Sequence, residues 1–172
     1  FLWKEQTIQS SCVVDLLKPH PDLDSYEKLA ALDLVPGLSE PVFPVLLYLQ
    51  QWEPRLPWES GLIDAALSNM LAEIFQPHDS LPVLGAAESR LFVILIPKKE
   101  MTSDIVEREL RFLASACEQY LDCSLTVYFD APVLPTQMYS TWQMLQQKYK
   151  DNITRETGIF RVSKDIASAH MY

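Results

Sequence analysis

The sequence has 172 residues, 48% of them hydrophobic and 22% charged, with a mean hydropathy of zero, as expected of a soluble globular protein with one domain and room for an appended arm. Fourteen Lys and Arg against 23 Asp and Glu give a formal charge of −9, which leaves no broad cationic face to neutralise phosphates and excludes nucleic-acid contact by this fragment alone. No window approaches the roughly 18 uncharged apolar residues of a membrane span, and the amino end has no basic region followed by an apolar run, so no membrane association is expected and the chain reads as cytoplasmic.

Twelve prolines punctuate the chain. Residues 1–40 read as a helical arm or linker from an upstream domain: FLWKEQTIQSSCVVDLL and SYEKLAALDL are short helical candidates around the turn-forming KPHPDLD, and VPGLSEP closes the arm. From Pro41 onward strand and helix signals alternate. VFPVLLYLQQW (42–52) is apolar almost throughout, as a strand buried on both faces should be. ESGLIDAALSNMLAEIF (59–75) repeats apolar pairs every four positions, Leu62 and Ile63 through Ile74 and Phe75, predicting a helix with one broad apolar stripe.

SLPVLGA (80–86) and RLFVILIP (90–97) are strand-like runs separated only by Ala87, Glu88 and Ser89, which implies an antiparallel hairpin. Thr102 or Ser103 can cap a second helix in which Val106, Leu110, Leu113, Cys117 and Leu121 form the inner face, with Glu107, Arg108, Glu109 and Arg111 in water. CSLTVYF (123–129) reads as a strand, MYSTWQMLQQKY (138–149) as a third helix with Met138, Trp142, Leu145 and Tyr149 inward, and GIFRV (158–162) as a last strand. The expected fold is therefore α+β: a ferredoxin-like βαββαβ core with its helices on one face, an αβ extension and an amino-terminal helical arm.

The residue types for catalysis are sparse. His20, His78 and His170 fall in predicted loops or at the carboxy end and read as solvent-exposed histidines without partners. Ser10 and Ser11 beside Cys12 lack a nucleophile-elbow or cysteine-protease signature. Cys12, Cys117 and Cys123 form no CxxC pair and read as small buried hydrophobes in a reducing compartment. No His, Cys, Asp or Glu set has metal-ligand spacing, so no metal or cofactor is expected. Gly37, Gly61, Gly85 and Gly158 are isolated, which excludes glycine-rich phosphate loops. Asp104, Glu107 and Glu109 beside Arg108 and Arg111 read as helix-dipole and i,i+4 pairs. Trp52 and Trp58 bracket EPRLP after the first strand, either as a stacking platform or as rim packing.

Several segments resemble the middle domain of YesN-group AraC-type response regulators of Firmicutes, which lies between a receiver and a helix-turn-helix pair: PVLLYLQQWEP (44–54), RLFVILIPKK (90–99), CEQYLDCSLTVYFDAPV (117–133), MYSTWQMLQQ (138–147) and KDNITRETGIF (150–160). That domain is in turn similar to the GGDEF diguanylate cyclase fold, so residues 41–172 resemble a degenerate GGDEF-like, nucleotide-cyclase-like domain. FVILIP (92–97) has the form of the strand after the GGDEF signature, which sets Glu88, Ser89, Arg90, Leu91 and Phe92 at the signature positions, without its glycines or its acidic pair. Where the cyclases carry a metal-binding aspartate after the first strand, this chain has LQQW (49–52).

The resemblance implies a non-enzymatic regulatory module of a two-component transcription regulator, cut from a longer chain, coupling an upstream receiver or sensor domain to a downstream helix-turn-helix domain. The arm is then either a dimerising helix that transmits the signal, making the chain a homodimer, or a cover for one sheet face. The alternative is a small-molecule or nucleotide sensor that binds without turnover through Gln50, Gln51, Trp52, Arg55 and Arg90.

Overall fold

The computed structural model describes residues 16–32, 35–50, 59–83, 90–154 and 156–162. In chain order these hold helix α1 (Leu23–Ala31), strand β1 (Phe43–Gln50), helix α2 (Glu59–Ile74), strands β2 (Asp79–Val83) and β3 (Arg90–Ile96), helix α3 (Ser103–Ala116), strand β4 (Ser124–Phe129), helix α4 (Met138–Asp151) and strand β5 (Gly158–Arg161). One five-stranded sheet runs β2-β3-β1-β4-β5. All neighbours are antiparallel except β4 and β5, which α4 joins as a parallel crossover. This is the expected α+β βαββαβ core with an αβ extension.

Strict alternation along the strands builds two cores. Phe43, Val45, Leu47 and Leu49 of β1 share a face with Leu91, Val93 and Leu95 of β3 and Leu125, Val127 and Phe129 of β4, and α2 and α3 cover it. The interleaved residues Leu46, Tyr48, Phe92, Ile94 and Tyr128 face the other way, under α4, α1 and the buried Leu16 and Val35. Helices thus lie on both faces of the sheet. The βαββαβ helices hold one, as expected, while the extension and the arm close the other, which explains why β1 is apolar at successive positions.

The local signals match their causes. Thr102 caps α3, its Oγ1 accepting from the Ile105 N–H at 3.2 Å. Asp22 caps α1 by accepting from the Ser25 N–H and hydroxyl, and these bonds hold its carboxyl below the usual carboxylate range. Two expectations are corrected. Leu62 is not part of the inward stripe of α2 but 63% exposed: Ile63, Leu67, Leu71 and Phe75 are buried in the first core and Met70 and Ile74 of the flanking row pack against it partly buried, while Leu62 at the start of that row stays in water. Of the expected i,i+4 pairs on α3, Glu107 and Arg111 form one at 4.0 Å, whereas the Asp104 carboxylate meets the Arg161 guanidinium of β5 at 3.1 Å and Arg108 pairs with the adjacent Glu109.

The arm is tied to the domain by burial, and a hydrogen bond inside the arm braces it. Tyr26 sits in the second core and its hydroxyl donates to the Pro36 carbonyl at 2.6 Å. Tyr26→Phe removes that donor and leaves a buried carbonyl short of a partner, so unfolding stability is expected to fall by about 1–2 kcal/mol, read from the urea midpoint.

Beyond Ala116 the helix widens into one π turn, Cys117–Leu121, closed by Asp122 with φ +51°. Cys117 and Cys123 flank this turn, both buried, and neither is in a disulfide. Burial, with Cys123 alongside, pushes the Cys117 thiol from its ordinary 9.0 up to about 12. The folded protein therefore keeps a proton that the unfolded chain releases first. Stability is expected to hold below pH 9 and to decline as pH rises from about 9 towards 12. Urea midpoints at pH 8 and 10.5 test this, and Cys117→Ala is expected to reduce the decline.

Candidate functional site

Sheet register places two of the predicted site residues, Gln50 and Arg90, at one end of the sheet. β1 ends at Gln50, opposite Ser124 at the start of β4, and Tyr48 pairs with Arg90 at the start of β3. Gln50 and Arg90, far apart in sequence, thus mark the same edge. Gln50 is half-buried, and its Nε2 is shielded from solvent without a hydrogen-bond partner among the described residues. Such an amide costs about 1–3 kcal/mol unless an oxygen atom meets it. Of the signature positions, Leu91 is 5% exposed and packs in the first core, and Phe92 is fully buried in the second, its ring 4.5 Å from that of Trp142. Gln51, Trp52, Arg55, Trp58, Glu88 and Ser89 lie outside the described residues, as do Ser10, Ser11, Cys12, Gly85 and His170.

A second polar centre, for which the spacing of residues predicts no role, lies where α4 hands over to β5. Asn152 is its hub: Nδ2 donates to the Tyr128 hydroxyl at 2.9 Å and to the Glu156 carbonyl at 3.0 Å, while Oδ1 accepts from the Glu156 N–H at 3.0 Å. The buried Thr126 hydroxyl donates to the same Glu156 carbonyl at 3.0 Å. β5 then starts at Gly158 with φ +146°, a conformation that strains any residue with a Cβ. The corner holds a concavity of about 340 Å³ lined by Tyr128, Lys148, Asn152, Glu156 and Phe160. Tyr128 and Phe160 stack there, and Tyr48 stacks on Tyr149 with rings 3.5 Å apart. These bonds and stacks are those of a structural joint.

His78 is not without a partner: its Nδ1 accepts from the Lys98 N–H at 3.0 Å, clasping the start of β2 to the exit of β3. Burial, then the nearby Lys99, lowers its pKa and keeps the imidazole neutral as an acceptor. Among the described residues no three His, Cys, Asp or Glu side chains cluster closely enough to hold a metal ion, and no helix is long and apolar enough to cross a membrane.

No family model, curated protein or solved structure matches this chain.

Proposed function

We propose that this chain is a non-catalytic regulatory domain of an AraC-type bacterial transcription regulator, coupling an upstream receiver or sensor domain to a downstream helix-turn-helix domain. The observation that carries this reading is the chemistry of the sheet end. The positions that correspond to the acidic pair of the resembled cyclases hold Arg90 and Leu91, the latter buried in the core, and β1 ends in the amide of Gln50. A guanidinium repels divalent cations and an aliphatic side chain offers no donor, so these residues do not fit a two-magnesium nucleotide site. The arm supports a coupling role: Leu16, Tyr26 and Val35 share the second core with β1, β3 and β4, so movement of the arm acts directly on the sheet.

The test is calorimetric titration of the purified chain with GTP, cyclic di-GMP and magnesium, with product analysis on the same samples. Neither binding heat nor cyclic product is expected, and any cyclic product overturns the reading. The amide of Gln50, without a partner among the described residues, favours a second reading, a nucleotide or metabolite sensor; binding heat without turnover would establish that one instead. A chain that sediments as a monomer at high concentration removes the homodimer from the proposal.

A further inference from the structure

The covering layer of the first core has an outer face with unusual composition. Phe112 and Tyr120, on the α3 face and its π turn, are 64% and 74% exposed. With Met70 and Ile74 of α2 they line a groove of about 560 Å³ between the two helices, and Glu73 and Glu109 sit in its wall. Two exposed aromatic rings flanking an apolar trough are unusual on a solvated helix pair, where lone apolar residues are the norm. The spacing along α3 explains the groove: Glu109, Phe112, Ala116 and Tyr120 step by three, four and four, a second stripe beside the buried row Val106, Leu110, Leu113 and Cys117.

Independently of the regulatory reading, we propose that this α2–α3 groove docks a basic amphipathic helix of a partner, with apolar anchors in the trough and Lys or Arg against the carboxylates. Charge decides the occupant. Glu73 has no ion-pair partner among the described residues, Glu109 already holds Arg108 at 3.1 Å, and the whole chain carries −9. A second copy would bring another chain of charge −9 to the groove, while a cationic helix meets the Glu73 carboxylate and buries both rings. Aromatic anchors ringed by charge are where binding energy concentrates.

The probe is a fluorescein-labelled peptide of about 18 residues, lysine on one face and leucine and phenylalanine at i, i+3, i+4, i+7 spacing, read by anisotropy against the full chain. An isosteric peptide with glutamate for lysine is the comparator. Phe112→Ser and Glu73→Lys alter exposed groove residues; Glu27→Lys, on the exposed side of α1, makes the same change in net charge elsewhere. Binding of the basic peptide is expected to weaken at least about tenfold in the two groove variants, to persist with Glu27→Lys and to be absent for the acidic peptide. Equal weakening by Glu27→Lys and Glu73→Lys, unchanged binding in Phe112→Ser, or no binding of the basic peptide overturns the proposal. So does sedimentation showing a dimer that Phe112→Ser dissolves, since the groove would then belong to a second copy.

Discussion

Phe92→Ala is expected to lower the free energy of unfolding by about 3–5 kcal/mol, the largest effect of any single substitution considered for this chain. Phe92 is fully buried in the middle of β3, where it pairs with Leu46 of β1 and Val83 of β2, and its ring leans on Trp142 of α4. Truncation removes a burial contribution of about 1.5–3 kcal/mol, forfeits the contact between rings and leaves a cavity. That cavity cannot collapse readily, because both flanking strands are hydrogen-bonded in register and α4 is fixed at its far end by the Asn152 corner. Against a typical total of about 5–15 kcal/mol, the variant should be only marginally folded at 37 °C. Urea unfolding followed by circular dichroism gives the number, and Phe92→Leu, which keeps most of the volume, should cost far less. A loss below about 1 kcal/mol for the alanine variant would mean that the second core is not closed over β3.

The second large effect is expected at Asn152, where one side chain makes three hydrogen bonds to a strand residue and to a loop. Asn152→Ala removes all three. Glu156 loses the acceptor for its N–H, the Tyr128 hydroxyl loses a donor, and among the described residues the Glu156 carbonyl keeps only Thr126. At about 0.5–1.5 kcal/mol for each bond, and with the site partly open to water, the loss should reach about 2–3 kcal/mol. Its location is as diagnostic as its size. β5 is a four-residue strand at the sheet edge, so its amides should lose hydrogen-exchange protection while those of β1 and β3 keep theirs. Asn152→Asp retains the acceptor for the Glu156 N–H but gives up both donations and turns a carboxylate towards a carbonyl, so it should restore little. Uniform loss of protection across all strands would show that the corner is a global rather than a local support.

The strands and helices were largely legible because period and burial agree. The apolar row Val106, Leu110, Leu113 and Cys117 reads directly as the inner face of α3, and the unbroken run in β1 reads as a strand covered on both sides. Leu62 departs from the stripe locally: the apolar pairs four apart do form a broad face, with Ile63, Leu67, Leu71 and Phe75 buried and Met70 and Ile74 packed beside them, but at the first turn of α2 the flanking position stays in water. The candidate site was legible only in outline. Gln50 and Arg90 do end and begin neighbouring strands at one sheet end, while Leu91 and Phe92, which carry the resemblance to a signature hairpin, are core residues.

The sequence by itself determined the order of elements, the alternation that makes two cores, the start of α3 at a cap of Thr102 or Ser103 and the net charge of −9, because each depends on residues within a few positions or on composition. Tertiary structure alone decided that Arg161 reaches Asp104 across 57 positions, that Asn152 braces Tyr128 and that Phe112 and Tyr120 frame an uncovered groove. Periodicity states which face of an element is apolar; which element comes to lie against it follows from strand order and crossover geometry, which no local pattern encodes.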